Sequence, residues 1–306
     1  PFLPQISHSR KKSKNQDIVC LQETKGTQSL INKHFRKLSR TFWVVPNLSP
    51  RSVNEGGLIT LVSKSSCPLE EHISHTIMVP GRVSRVLIQG GESRQIVYNT
   101  HNQEFTNAQM DIVCNSILND LSDCSTDTLS NNLIACGDIN IPSVSGRYFD
   151  YASPVPIANT DAGLDHHPRF NGISGRLGKL FKDRRWVEVE PLAPTTFNTL
   201  NNTGTTIDRI FVNTAPCFLK QCKWAASILD DPKKLYTSGI SDHGMVQAKA
   251  CFSSATAPGE GVTPPPHMQN STFQKIVQQL AYGTRIRKMT NPWEQTKIYS
   301  GNDKGS

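Results

Sequence analysis

The sequence predicts an α/β fold, because short apolar runs of strand length recur along most of the chain and an amphipathic helix lies between two of them. The runs fall around residues 17–22, 42–46, 57–63, 83–89, 95–100, 132–138, 186–191, 207–212 and 245–250. Apolar runs bounded by turn signals read as buried strands. Between the runs at 95–100 and 132–138, Ile112, Val113, Ile117, Leu118 and Leu121 recur at helical spacing after Asn107. This is the pattern of a helix with one face laid on a sheet. No internal repeat emerges, since the second Asp-Ile-Val-Cys, at 111–114, falls in this helix.

Taken in order, the strands deliver polar side chains at their ends. Asp17-Ile18-Val19-Cys20-Leu21-Gln22-Glu23 ends in a carboxylate. Glu55 stands just before Gly57-Leu58-Ile59-Thr60-Leu61-Val62. Ile96-Val97-Tyr98-Asn99-Thr100 leads into His101-Asn102, and Leu133-Ile134-Ala135-Cys136 runs into Gly137-Asp138-Ile139-Asn140. The last of these is the most informative, because a strand end aims a carboxylate and an amide from a rigid support; the plainer reading is an Asp-initiated turn stopped by Pro142. Downstream, Asp208 opens Asp208-Arg209-Ile210-Phe211-Val212, and Asp242-His243 precedes the run at 245–250.

These segments, in this order, resemble the endonuclease/exonuclease/phosphatase superfamily. Asp208-Arg209-Ile210-Phe211-Val212 and Pro194-Thr195-Thr196-Phe197 look most like the endonuclease domains of LINE-type retrotransposons, relatives of the apurinic endonucleases. The resemblance covers roughly residues 15 to 252. It implies two packed β-sheets flanked by helices, a four-layer α/β sandwich of the DNase I-like kind, and metal-dependent phosphodiester hydrolysis that nicks DNA. By the same resemblance, Glu23 binds the metal with Asp242 beside it, Asp138 orients or deprotonates the attacking water, and Asn140 holds the phosphate and the nucleophile. His243 contacts the scissile phosphate and Asp208 hydrogen-bonds that histidine. His101 stands where family members carry Tyr or His, and Glu55 where some His-bearing members keep the carboxylate that orients it.

The chemistry is coherent without the name. Phosphodiester hydrolysis needs a cation to neutralise charge, a base for water, and donors around the pentavalent centre. Hard carboxylate oxygens suit Mg²⁺, which takes one or two of them and keeps several waters; Mn²⁺ is the alternative ion. Two other readings stand beside nicking of DNA. The same scaffold serves phosphatases and phosphodiesterases acting on small or lipid phosphates. The resemblance also implies an opening strand that ends in an Asn, whereas this chain starts Pro1-Phe2-Leu3-Pro4, with Ile6 to Gln16 suggesting the helix that would follow. A fragment of a longer reading frame is expected on that ground, with a truncated, inactive nucleic-acid-binding module as the third reading. A Ser-His-Asp hydrolase is disfavoured, since no Gly-x-Ser-x-Gly elbow is present.

The 306 residues carry a formal net charge of +8, concentrated in residues 1–40 and 253–306, so the stretch between is slightly acidic. Arg10-Lys11-Lys12-Ser13-Lys14 and Lys33-His34-Phe35-Arg36-Lys37 suit a polyphosphate backbone or a solvated helix face. Arg176, Lys179, Lys182, Arg184 and Arg185 surround the single acid Asp183 and are the better candidates for DNA contact. His166-His167 reads as an exposed loop. The eight cysteines are scattered, several inside apolar runs where a thiol packs as a small hydrophobe. Cys217 and Cys222 have no second pair to complete a zinc site. No membrane-spanning run or secretory signal is evident, and an intracellular protein is expected. From Ser253 to about residue 270 the composition turns to Ser, Pro and Gly and reads as a linker. Beyond it Phe273, Ile276, Val277 and Leu280 suggest a basic amphipathic helix and tail over 271–306, which in a LINE polyprotein would lead toward a reverse transcriptase domain.

Overall fold

The computed structural model describes residues 17–90, 93–126, 130–140, 148–151, 156–157, 172–214 and 222–252. The chain divides into two compact units, Pro1–Ala215 with Ala225–Lys249, and Pro216–Trp224 with Ala250–Ser306. Of the second unit the described residues are 222–224 and 250–252, which are strand ends. The expected linker and basic tail at 253–306, the Ile6 to Gln16 segment and His166-His167 lie outside the described residues.

The first unit is built on two sheets. The smaller has β1 (Ile18–Leu21), β2 (Phe42–Asn47) and β3 (Leu58–Ser63) in the order β1-β3-β2. The larger contains β4 (Ile73–Val79), β5 (Val83–Gly90), β6 (Ser93–His101), β7 (Ser130–Asp138), β10 (Val187–Glu188) and β13 (Asp208–Thr214), ordered β10-β13-β7-β6-β5-β4. Its neighbours are antiparallel except β6 and β7, which run parallel. Parallel neighbours need a crossover, and here it is the helix α2 (Asn107–Thr126). A four-stranded sheet follows the order β11-β12-β8-β9, from β8 (Tyr148–Asp150), β9 (Pro156–Ile157), β11 (Thr196–Asn198) and β12 (Thr203–Thr205). β14 (Cys222–Ile228) and β15 (Val246–Phe252) form a two-stranded ribbon.

Period-two alternation sorts each strand's side chains between layers. Val19, Leu21, Ile59 and Leu61 face Ile31 and Phe35 of α1 (Gln28–Phe35). The opposite face of the same sheet sends Trp43, Val45 and Val62 against Ile73, Val86 and Ile88 of the larger sheet. The far face of that larger sheet, with Ile96, Tyr98, Leu133, Ala135 and Phe211, packs against Met110, Val113 and Ile117 of α2 and Leu177 and Phe181 of α3 (Ile173–Asp183). The order of layers is therefore α1, smaller sheet, larger sheet, then α2 with α3. The first two helices begin where the sequence supplies a cap, whereas α3 starts after Gly172 with no side-chain cap. Thr27 accepts from Leu30 N at the start of α1. Thr106 and Gln109 exchange hydrogen bonds before α2, a capping box that satisfies two otherwise orphaned donors. Among the described residues no helix is long and apolar enough to cross a membrane.

Two polar clusters are paired between the layers. Arg85 reaches Asp120 of α2 with two hydrogen bonds of 2.7 Å, and Tyr98 donates to the same carboxylate. Between the sheets, Asn99 donates to Ile59 O and Thr60 Oγ1, both at 3.2 Å, and accepts from Gln22 Nε2 at 2.7 Å. This network fixes the end of β1 against β6, immediately below the polar strand ends.

Candidate active site

The alternation that buries Ile96 and Tyr98 against helices turns Val97, Asn99 and His101 toward the smaller sheet. The same parity applies to Cys136 and Asp138 on β7 and to Ile210 and Asp208 on β13. In register, His101 pairs with Asp138 and Asp138 pairs with Asp208. Three adjacent strands thus present His101, Asp138 and Asp208 in one transverse row, with the roughly 4.8 Å spacing of neighbouring strands. The strand directions make this possible: β6 and β7 end at this edge and β13 begins there.

His243 extends the row. Its Nδ1 lies 2.9 Å and 3.1 Å from the two carboxylate oxygens of Asp208. The support is the segment around β11: Thr195 Oγ1 accepts from Ile207 N and Asp208 N at 3.1 Å, and Thr195 O accepts from Gly244 N at 2.7 Å. Phe197 N donates to Asp242 O at 2.8 Å, and Thr196 bridges His243. Thr195, fully buried, therefore ties both members of the Asp208-His243 pair to one strand.

At the other end of the row, His101 Nε2 faces Glu23 Oε1 at 3.6 Å and Asp138 Oδ2 at 3.8 Å. Glu23 is more than half exposed and also lies 3.7 Å from Lys25 Nζ. Its loop is pinned by backbone hydrogen bonds, Thr24 N to Gly57 O and Lys25 N to Gly56 O, and Gly57 N in turn donates to Gly81 O. A Cβ on Gly56 would come within 2.9 Å of Gly81 O, so this stack of turns has no room for a side chain at that position.

Gly137 has the same function in the Gly-Asp-x-Asn segment. Its φ is +127°, and a Cβ there would lie 2.0 Å from Thr100 O and 2.9 Å from Gln22 Nε2. The glycine lets β7 approach β6 and the end of β1 closely enough for Asp138 to join the row. Asn140 N then donates to Asp138 Oδ1 at 2.8 Å, and Asn102 N donates to Asp138 O at 2.7 Å. Glu23 and Asn140 both hold positive φ, 50° and 56°, a conformation that side chains other than Gly and Asn adopt at a cost and that recurs at functional sites.

The electrostatics divide the row. Burial raises the Asp138 carboxyl to about 7, with the Asp208 charge adding to the effect and the His243 charge opposing it. His101 is pushed down to about 4, first by burial and then by the charge of Arg82. His243 goes the other way, to about 10: burial works against its charge but is outweighed by the charge and hydrogen bond of Asp208, with Asp138 and Asp242 adding to them.

Arg82 is the residue that sequence reasoning missed. Its Nη1 lies 2.9 Å from His101 Nδ1 and donates to Gln103 Oε1 at 3.2 Å. Glu55, the residue expected to orient His101, stands exposed in the turn that packs over Arg82. Both ring nitrogens of His101 face other groups, because the arginine occupies the side on which Glu55 was expected. The signal was the Pro80-Gly81-Arg82 turn before β5, which places a cation one strand away from His101.

Asp242 is exposed, beside His243, while Glu23 sits at the His101 end of the row. Among the described residues no three His, Cys, Asp or Glu side chains form a ready metal cage. The donors present do fit a hard divalent ion: Glu23 offers an exposed carboxylate facing the same imidazole edge as Asp138, and Mg²⁺ needs only one or two such ligands with water. The five basic candidates are spread along α3 and its exit. Arg176 is paired with Asp111 of α2. Lys179, Lys182, Arg184 and Arg185 are exposed, but Arg184 O accepts from Asn213 near the far end of β13. At about 3.3 Å per residue, that is about 17 Å from the Asp208 end of the strand.

A model of the Endonuclease/Exonuclease/phosphatase family matches residues 6–243. The structure is similar to an AP endonuclease, LMAP, of Leishmania major, with TM-score 0.54 and 14% sequence identity over 81% of this chain and 84% of that one. It is also similar to a 3′ phosphatase, NExo, of Neisseria bound to a product DNA hairpin, with TM-score 0.54 and 15% identity over 82% of this chain and 94% of that one. At these identities the likeness shows the fold, the DNase I-like α/β sandwich. No curated protein sequence matches the chain.

Proposed function

This chain belongs to the endonuclease/exonuclease/phosphatase family, and from that premise we propose that it is a Mg²⁺-dependent endonuclease that nicks DNA. The observation that carries the reading is the row His101, Asp138, Asp208 and His243 set across three neighbouring strands and one loop. It combines a carboxylate held near neutrality by its surroundings with a cationic imidazole, the pair that water activation and phosphate binding require.

Glu23 would hold the cation at the His101 end of the row, and Asp242, proposed with it, stands at the His243 end. A bound Mg²⁺ would neutralise charge on the phosphodiester. Asp138 accepts the proton of the attacking water, and its Oδ1 is kept in place by Asn140 N. Asn140 contacts the phosphate and the nucleophile. His243, clamped by Asp208, donates to a phosphate oxygen and stabilises charge that grows in the transition state. DNA as the substrate is supported by the basic residues Arg176, Lys179, Lys182, Arg184 and Arg185. With Arg176 tied to Asp111 and Arg184-Arg185 near the far end of β13, Lys179 and Lys182 are the first to test for backbone contact.

The proposed setting is a LINE-type retrotransposon, with a reverse transcriptase domain in the same polyprotein. It rests on the likeness of the Thr195-Thr196 and Asp208–Val212 segments, which in this chain hydrogen-bond to each other. The experiment is nicking of supercoiled plasmid with Mg²⁺, with EDTA, and with Glu23→Ala or Asp138→Asn. Nicking abolished by chelation and by both substitutions supports the reading. Nicking that survives either substitution, or its absence under all metal conditions, overturns it.

A further inference from the structure

We infer that Arg82 is a positioning residue that sets the tautomer of His101, so that this imidazole meets the phosphate as a neutral hydrogen-bond donor through Nε2 and delivers no proton. The role on phosphate rests on the nuclease reading above; the tautomer does not.

The donors and acceptors around the ring decide where its proton sits. A guanidinium has five N–H donors and no acceptor. Arg82 Nη1 at 2.9 Å from His101 Nδ1 is a hydrogen bond only if Nδ1 offers its lone pair. An imidazolium has no such lone pair, and the Nδ1–H tautomer would set two N–H groups head to head. The remaining form carries its proton on Nε2. A carboxylate in the same place would impose the reverse, accepting from Nδ1–H and stabilising the charged ring.

The guanidinium has little freedom to yield. It donates to Gln103 Oε1 at 3.2 Å and lies 3.6 Å from Glu104 Oε2. The Gly56 turn closes over it, since a Cβ on Gly56 would lie 3.7 Å from Arg82 Cζ and Nε. The main chains are joined as well, His101 N donating to Arg82 O at 2.8 Å. The His101 side chain is 2% exposed.

On the other edge of the ring, Glu23 Oε1 at 3.6 Å and Asp138 Oδ2 at 3.8 Å are both beyond hydrogen-bonding distance. The Nε2–H therefore points between two carboxylates, toward the place where an oxygen of water or substrate would accept it. The two histidines of the row are set in opposite states by their partners, His243 as a cation by a carboxylate and His101 as a neutral donor by a guanidinium.

The test is the ¹⁵N–¹H long-range correlation spectrum of the imidazoles in the ¹⁵N-histidine-labelled protein near neutral pH, with His101 assigned through His101→Gln. The expected spectrum is Nε2–H for the wild-type protein and for Arg82→Lys, which keeps a cationic donor. Arg82→Met should show mixed tautomers. In plasmid nicking it should lose roughly tenfold or more in kcat with little change in KM, as when the group orienting a site histidine is removed, and Arg82→Lys should recover part of the loss. Nδ1–H or imidazolium in an active wild-type enzyme overturns the tautomer inference and leaves the nuclease reading intact. Nε2–H in a protein that cuts no phosphodiester overturns the role on phosphate together with that reading. If Arg82→Met does not fold, the wild-type and Arg82→Lys spectra decide the tautomer on their own.

Discussion

Both carboxylate oxygens of Asp208 lie within 3.1 Å of Nδ1 of His243, so the imidazole at the end of the row is held as a cation by one bifurcated contact. Because Thr195 Oγ1 accepts the backbone N–H of Asp208 while Thr195 O accepts that of Gly244, the pair keeps its geometry without bound substrate.

The first expected outcome concerns pH. His243 is raised to about 10 in the fold, against about 6.5 in an unfolded chain. The charged form therefore binds its proton more tightly in the native state. Its stabilisation is fully present below about pH 6.5 and is lost as pH rises through about 10. Removing the carboxylate with Asp208→Asn leaves burial opposed only by more distant charges, and His243 should then titrate far lower. An imidazole titration by NMR between pH 5 and 9 should show no inflection for His243 in the wild-type protein and a clear one in the variant. An inflection near pH 6.5 in both would mean that the contact does not form in solution.

On the proposed role of Asp138 as the base, Asp138→Asn should lower turnover by orders of magnitude and leave DNA affinity nearly unchanged, since a group acting only in the transition state is removed and no phosphate contact is lost. Single-turnover nicking and equilibrium DNA binding of the same preparation separate the two. A parallel loss of binding would reassign Asp138 to substrate binding.

Gly137→Ala tests the close approach of β6 and β7. With φ at +127° and Thr100 O 2.0 Å from the added Cβ, the variant must open the sheet beside the row. A loss on the order of 3 kcal/mol or more is expected, the range of severe backbone and packing defects. Urea unfolding measures it, and a wild-type midpoint would refute the geometry.

Asp120→Ala separates stability from chemistry. It leaves the buried guanidinium of Arg85 and the Tyr98 hydroxyl without their shared acceptor, and breaking a buried ion pair from one side costs roughly 3–5 kcal/mol. The urea midpoint should fall while kcat of the folded fraction is unchanged. A lower kcat at full folding would link α2 to the site directly.

Much of this architecture was legible in the sequence because its central strands are continuous apolar runs. β3 is buried at every position, and β6, β7 and β13 each carry the polar residue that ends or opens the run. α2 was equally plain, since its buried positions keep strict helical spacing. β4 was missed because it is an edge strand with three of its seven residues exposed, Ile77 among them, so it lacks a solid apolar block. β11 and β12 were missed because they are three-residue pieces rich in threonine, held by hydrogen bonds that no periodicity reports. At the site, the order of segments announced the candidate residues, but the partner of His101 was legible only in three dimensions. Residue type and position suggested Glu55, whereas strand pairing brings Arg82 to the ring. The basic candidates follow one another on a helix and its exit and extend along the sheet, so their clustering in sequence does not by itself give their distance from the strand ends.

The parallel pairing of β6 with β7, alone in an otherwise antiparallel sheet, has a kinetic consequence. His101 and Asp138 become neighbours only after α2 has closed the crossover between their strands; Asp208 joins Asp138 across a still longer stretch of chain, and His243 then docks on Asp208 from 35 residues away. Contacts of this range form late, since loop-closure entropy must be overcome before they are rewarded. During refolding from denaturant, helical signal should therefore return before the His243–Asp208 contact does. Recovery of plasmid nicking would then act as a clock for the last docking event rather than for collapse.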